Sequence, residues 1–156
     1  MVKYNRQKSK IKGVDVVLQG LWKFGNDWVF DSRLSYTYQK AQDFTDKSDK
    51  DTYGGQISYI PWHSGSAILN AGYKSWELNY SFIYTGERYD VSANTPENYR
   101  LPWYTSDFSL AKKFSWRKYD FKLTLEVNNI FNQQYEVVRS YPMPGTNFKF
   151  ILNLTI

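Results

Sequence analysis

Two runs of strict period-two alternation near the C-terminus constrain this chain more than any other feature. Phe121, Leu123, Leu125 and Val127 alternate with Lys122, Thr124, Glu126 and Asn128. Phe148, Phe150, Leu152, Leu154 and Ile156 alternate with Lys149, Asn153 and Thr155, and only Ile151 breaks the polar set. A β-strand sends successive side chains to opposite faces, so each run is a strand with one apolar and one polar face. A helix would scatter both sets around its axis.

The same period recurs upstream. A first strand spans about residues 11–24, with Val14, Val16, Leu18, Trp22 and Phe24 on one parity. Gly25-Asn-Asp27 then gives a hairpin signal. Trp28, Phe30, Leu34, Tyr36 and Tyr38 oppose Asp31, Arg33, Ser35, Thr37 and Gln39 in a second strand. Ala67, Leu69, Ala71 and Tyr73 mark a third. Trp76, Leu78, Tyr80, Phe82 and Tyr84, opposite Glu77, Asn79, Ser81 and Thr85, mark a fourth. Tyr104, Phe108, Leu110 and Phe114 against Thr105, Asp107, Ser109 and Lys113 mark a fifth. Tyr53 to Ile60 reads either as a short strand or as an ordered part of a loop, so the count is seven or eight. No charge is expected in the apolar middle of any strand face. Residues 1–9 are polar and basic and read as a loop.

Aromatic residues at strand ends with aliphatics between them are what a bilayer asks for, since Trp and Tyr favour its interfaces. Aromatics make up 19% of the chain, high for a soluble domain of 156 residues. Mean hydropathy is −0.62, and no apolar run reaches the roughly 18 residues of a membrane-crossing helix. A transmembrane strand needs only about 9 to 11 residues, half of them apolar, so a β-barrel wall remains open. Connections are short near residues 26, 75 and 117 and long over 43–62, 86–102 and 132–146. In an up-and-down meander this puts every long loop at one end, as in bacterial outer-membrane barrels. The fold class expected is therefore an all-β, antiparallel up-and-down transmembrane barrel.

No cysteine is present, which excludes disulfides and thiolate metal sites, and one histidine excludes a multi-histidine site. The acidic loop from Gln42 to Asp51 lacks the Gly and closing Glu of an EF-hand, so it reads as a solvated loop. His63 reads as a loop or interface residue. No phosphate-binding glycine loop or nucleophile elbow occurs, and no carboxylate pair stands out. The chain thus reads as non-enzymatic, with no cofactor and no metal. The net charge of +5 raises nucleic acid. Stacking on bases would need aromatic and basic residues on one face, whereas here they fall on opposite ones.

The terminal hairpin carries a resemblance. Asn128-Asn-Ile-Phe-Asn-Gln-Gln-Tyr135, then Tyr141-Pro-Met-Pro-Gly145, then an alternating strand, resembles the end of TonB-dependent outer-membrane receptors. Tyr84-Thr-Gly-Glu-Arg-Tyr89, Ile60-Pro-Trp-His63 and Lys10-Ile-Lys-Gly-Val14 are similar to further segments of that family, so the likeness covers almost the whole chain. Asn147 stands near where an Arg is usual, and Ile156 replaces the usual terminal aromatic. The resemblance implies a C-terminal portion, residues 1–156, of a larger barrel of about 22 strands around a plug. It implies the outer membrane of a Gram-negative bacterium, lipid around the wall, and import of a scarce nutrient (ferric siderophore, cobalamin or glycan) with energy from TonB. The plug and the TonB-contacting segment are N-terminal in that family and are expected outside this chain. No leader follows Met1, so the chain is expected to belong to a longer precursor.

Two other readings stay open: a standalone eight-stranded outer-membrane barrel with a structural or adhesive role, and a soluble barrel that binds a small apolar ligand. On the membrane reading Phe30, Leu34, Tyr80, Phe82, Leu123, Leu125, Phe150 and Leu152 face lipid. Asp31, Arg33, Glu77, Lys122 and Glu126 then face the lumen. Tyr89, Tyr99, Arg100, Tyr135, Arg139 and Tyr141, on the long loops, are the expected ligand contacts, since aromatic and Arg side chains give large contact areas and directed hydrogen bonds. They serve equally well to order the loops or to sit in an interfacial aromatic belt.

Overall fold

The computed structural model describes residues 8–155. Its elements are β1 (Ser9–Phe24), β2 (Trp28–Asp43), β3 (His63–Tyr73), β4 (Trp76–Thr85), β5 (Arg88–Tyr89), β6 (Tyr99–Arg100), β7 (Trp103–Trp116), β8 (Tyr119–Asn128), β9 (Glu136–Val138), β10 (Tyr141–Pro142) and β11 (Asn147–Thr155), with one 3-10 turn at Pro96–Asn98. Seven of them form one sheet in the order β1-β2-β3-β4-β7-β8-β11. β5 pairs with β6 and β9 with β10 as two-stranded ribbons within the long connections. Among the described residues there is no α-helix. This is the expected all-β meander with its alternation of short and long links. The reading of residues 1–9 as a loop falls mostly outside the described residues, and Ser9 already belongs to β1.

Tyr53 to Ile60 is not a strand. It forms turns around one bridge, Gln42 to Gln56, and so adds no eighth member to the sheet. Two consecutive glycines there cost strand order and leave nothing to pack, and Tyr59 takes a left-handed φ of 59°.

The chain divides into two compact units that cut across the strands. The unit of residues 17–35, 65–84 and 104–156 holds the short turns. Three tight reversals close it, with left-handed φ at Gly25 (60°), Lys74 (52°) and Arg117 (57°). Within it β8 lies between β7 and β11, and residues face each other in rows. Phe108, Val127 and Phe148 make one row; Leu110, Leu125 and Phe150 the next; Phe114, Phe121 and Leu154 another. The opposite parity brings Ser109, Glu126 and Lys149 together, and Ala111, Thr124 and Ile151.

One row departs from the expected pattern. Lys112 stands beside Leu123 and Leu152 on the apolar parity, so that face does carry a charge. Its ammonium lies 4.3 Å from the centroid of the Trp76 ring, and the long methylene stem lets it share a face with leucines. Elsewhere the face is aromatic toward the turns: Trp28 packs on Tyr73 at 4.3 Å between centroids, and Phe114 stacks on Phe121 at 5.2 Å.

The polar parity is tied across strands. Asn70 Nδ2 donates to Asp31 at 3.0 Å, Asn79 Nδ2 to Ser109 Oγ at 3.1 Å, and Ser35 and Ser66 hydroxyls meet at 2.7 Å. Lys113 and Lys122 are direct cross-strand partners, a like-charge pairing that is unfavourable alone. Glu77 of β4 resolves it by pairing with both, at 2.6 Å from Lys122 Nζ and in direct contact with Lys113. Thr124 and Ala111, on this parity, are buried, while Leu125 and Phe150 on the other are 50% and 67% exposed. The face with the apolar side chains is the uncovered one.

Candidate functional site

The second unit, residues up to 16, 36–64 and 85–103, carries two of the long loops and is laced by polar side chains. Asn94 is the knot. Its Oδ1 accepts from the Gln56 backbone N–H at 2.6 Å, and its Nδ2 donates to the Gln56 carbonyl at 3.0 Å, as one strand pairs with another. A Cβ on Gly55 would come within 2.9 Å of the Asn94 side chain, which is why that position is glycine. Gln56 Nε2 donates onward to the Ile60 and Glu87 carbonyls. The Tyr59 N–H reaches the Tyr89 carbonyl at 2.8 Å. Loops 44–62 and 86–102 are therefore one hydrogen-bonded body. An amide is well suited to this, since Asn both donates and accepts.

Beneath the lacing sit buried charges. Arg88 and Asp90 are almost wholly buried, and Arg100 binds Asp90 through Nε at 2.7 Å and through its terminal nitrogen. Burial pulls the Arg88 guanidinium below its usual value, with nearby Tyr59 and Asp90 opposing the shift and Arg100 adding to it. Arg100, expected to contact ligand, is held by Asp90 and keeps part of its side chain exposed. Tyr89 and Tyr99 pair edge to face at 5.7 Å.

A cleft of about 320 Å³ opens beside that pair, between Trp62, Glu87, Tyr89, Asn94 and Tyr99. Trp62 was not singled out by its sequence context. Its indole N–H is buried without a hydrogen-bond partner among the described residues, and Lys40 Nζ lies 4.8 Å from the centre of its ring. A buried donor with no acceptor costs free energy, and the Trp62 side chain that carries it lines the cleft. Ring faces and one carboxylate can hold a polar molecule that has flat or apolar faces. His63, the first residue of β3, accepts or donates at Nδ1 with the Tyr36 hydroxyl at 2.8 Å and packs near Tyr38. It therefore stands at the start of a strand within a small aromatic group and not in a loop.

Tyr135, Arg139 and Tyr141 lie in the other unit, on the 129–146 connection. Asn129 organises it. This residue takes φ 50°, is 4% exposed, donates to the Gln133 and Pro144 carbonyls and accepts from the Gln133 N–H at 2.9 Å. Its backbone N–H is held by Asp107 at 2.7 Å, and its carbonyl takes the Thr146 hydroxyl at 2.7 Å. A Cβ on Gly145 would meet Asn132 Oδ1 at 2.5 Å. The Asn-rich segment and the Pro-Gly segment that carry the family resemblance are thus two halves of one clamp. Tyr135 is half-buried on it, and burial with the nearby Asp107 charge raises its phenol above the usual value. Tyr141 is well exposed, in β10.

A second opening, of about 240 Å³, lies on the polar parity of this unit among Asn79, Ser81, Asp107, Ser109 and Glu126. No group of acidic, His or Cys side chains among the described residues could hold a metal ion.

Residues 1–130 match the family model described as TonB dependent receptor-like, beta-barrel. No curated protein matches the chain.

Proposed function

Since the chain belongs to the TonB dependent receptor-like β-barrel family, a transport family of the outer membrane, we propose that it forms part of the wall of an outer-membrane importer. The observation that carries the proposal is the two-faced sheet. One parity is tied by cross-strand polar bonds, and the other leaves Leu125, Phe150 and Leu152 uncovered. Water inside and lipid outside are the surroundings such faces need. Further strands and a plug, supplied outside these residues, complete the barrel. The cargo is a nutrient too large for a porin, of the ferric siderophore, cobalamin or glycan kind, and TonB supplies the energy.

On this reading the laced loops form part of the outer vestibule, with Trp62, Tyr89 and Tyr99 at the first point of contact. Tyr135, Arg139 and Tyr141 offer a second contact surface on the 129–146 connection. The lipid-facing set is Phe30, Leu34, Tyr80, Phe82, Leu123, Leu125, Phe150 and Leu152. The ordered body of Asn94 and Gln56 supports a preformed site, which lowers the entropy cost of capture.

The test is uptake of labelled ferric siderophores, cobalamin and maltodextrins by cells carrying the complete receptor, with and without functional TonB. One cargo should enter only with TonB present. For that cargo Trp62→Ala, which removes the ring that lines the cleft, should weaken binding by about tenfold. TonB-independent behaviour toward all three would remove the import reading.

A further inference from the structure

The short-turn end carries an excess of positive charge that the import reading does not use. In residues 22–28, 73–77 and 112–122 there are seven Lys and Arg against three carboxylates, Asp27, Glu77 and Asp120. That stretch accounts for four of the five net charges of the chain. Four of these cations lie over aromatic rings: Lys74 over Tyr73 at 5.2 Å, Lys112 over Trp76 at 4.3 Å, Arg117 over Trp116 at 5.1 Å and Lys118 over Tyr119 at 5.3 Å.

Lys74 and Lys112 belong to one locality. The Lys113 backbone N–H donates to the Ser75 carbonyl at 2.8 Å, which sets the β3–β4 turn beside β7 at this level. Trp76 follows that turn and lies under the Lys112 ammonium. Lys74 is 58% exposed, and its contact with Asp27 is a loose 3.8 Å. Lys112 makes no ion pair among the described residues, although it stands on the apolar parity beside Leu123. A ring face stabilises an ammonium but leaves its outward N–H bonds to be met by something else.

We propose that this foot of the wall binds the headgroup phosphate of an anionic phospholipid, held between Lys74 and Lys112, with the acyl chains along Trp76 and Leu78. The chemistry is complementary on three counts. The two ammonium groups supply charge and donors to a phosphodiester. The rings occupy the depth at which Trp and Tyr settle, between headgroup and hydrocarbon. The exposed Leu78 lies two residues farther along β4 on the same parity as Trp76, where an acyl chain would run. In bacterial outer-membrane barrels the short turns are at the periplasmic side, so the lipid is one of the inner leaflet. A basic cluster at a membrane boundary is a recognised kind of anionic-lipid site.

The test uses the complete receptor, refolded in detergent and incubated with equal amounts of phosphatidylglycerol and phosphatidylcholine. Native mass spectrometry reads which lipid stays bound, and heat-modifiable gel migration reports separately that the wall has assembled. Phosphatidylglycerol should be retained about tenfold over phosphatidylcholine at low salt and less at high salt. Lys74→Gln with Lys112→Gln should abolish that preference while Lys47→Gln, in a long loop, leaves it intact. Equal retention of the two lipids, retention of neither, or an unchanged preference in the double variant would each overturn the proposal. So would displacement of phosphatidylglycerol by millimolar inorganic phosphate, which would indicate a free-phosphate site.

Discussion

At the scale of single residues, the consequence of a side chain depends on which face its parity selects. Leu34 and Ser35 are neighbours on β2, and Leu34 is exposed while Ser35 bonds Ser66 across to β3. Arginine in place of Leu34 should cost about 2 to 4 kcal/mol of folding stability in lipid if that parity faces the bilayer near its midplane. Arginine in place of Ser35 should cost only about 1 kcal/mol, the value of the lost hydroxyl pair. Urea titration of the two variants in lipid vesicles gives the order, and an inverted order would assign the apolar parity to an interior core. Asn129 offers a second case. Alanine there removes three side-chain hydrogen bonds from a buried position and leaves backbone groups without partners, a loss of about 2 to 3 kcal/mol. The 129–146 connection should loosen, so trypsin should cut at Arg139 faster than in the parent, with sheet content unchanged by circular dichroism. Cleavage at the parental rate would mean that the clamp does not depend on this amide.

Among the elements, the three-strand patch of β4, β7 and β8 shows how sheet pairing creates a charge problem and settles it. Antiparallel register sets Lys113 directly opposite Lys122, and Glu77 from β4 supplies the shared counter-charge. Glu77→Gln removes that charge and keeps the shape. The lysines are 56% and 39% exposed and Glu77 32%, so solvent screens the effect, and a loss of about 1 kcal/mol is expected. Raising salt should recover most of it. A variant whose deficit is indifferent to salt would point to packing as the cause.

For the whole molecule, the strand order β1-β2-β3-β4-β7-β8-β11 leaves β1 and β11 as the terminal members. Among the described residues each therefore has one row of backbone groups with no partner in the sheet, at several kcal/mol per group in hydrocarbon. The expected outcome for the isolated chain in detergent micelles is an oligomer or a poorly folded species, because pairing with further strands or other copies is the available remedy. Size measurement in micelles with heat-modifiable gel migration decides this. A compact, heat-modifiable monomer would mean that the wall closes on itself as a small barrel.

Period-two alternation is local, so the residues alone determined that Phe121–Asn128 and Phe148–Thr155 are two-faced strands and that short and long connections alternate. The seven main strands could be read for the same reason, and strand ends shifted by only a few residues because terminal pairing extends past the last apolar side chain. Tyr53–Ile60 stayed ambiguous because its pattern fits a strand while its two glycines fit a turn. The sites were less legible. Arg100 looks like a loop residue waiting for a ligand, yet only the pairing of β5 with β6 brings it to Asp90. Asn94 in Ser-Ala-Asn-Thr-Pro reads as an ordinary turn residue, and its bond to Gln56 joins positions 38 apart in the chain. Lys112 falls on the parity of Leu110 and Phe114, against the expectation of an uncharged face, and Trp76 beneath it comes from another strand. Register and loop docking decide which distant groups meet. Those distances are set by tertiary packing, which no window of neighbouring residues contains.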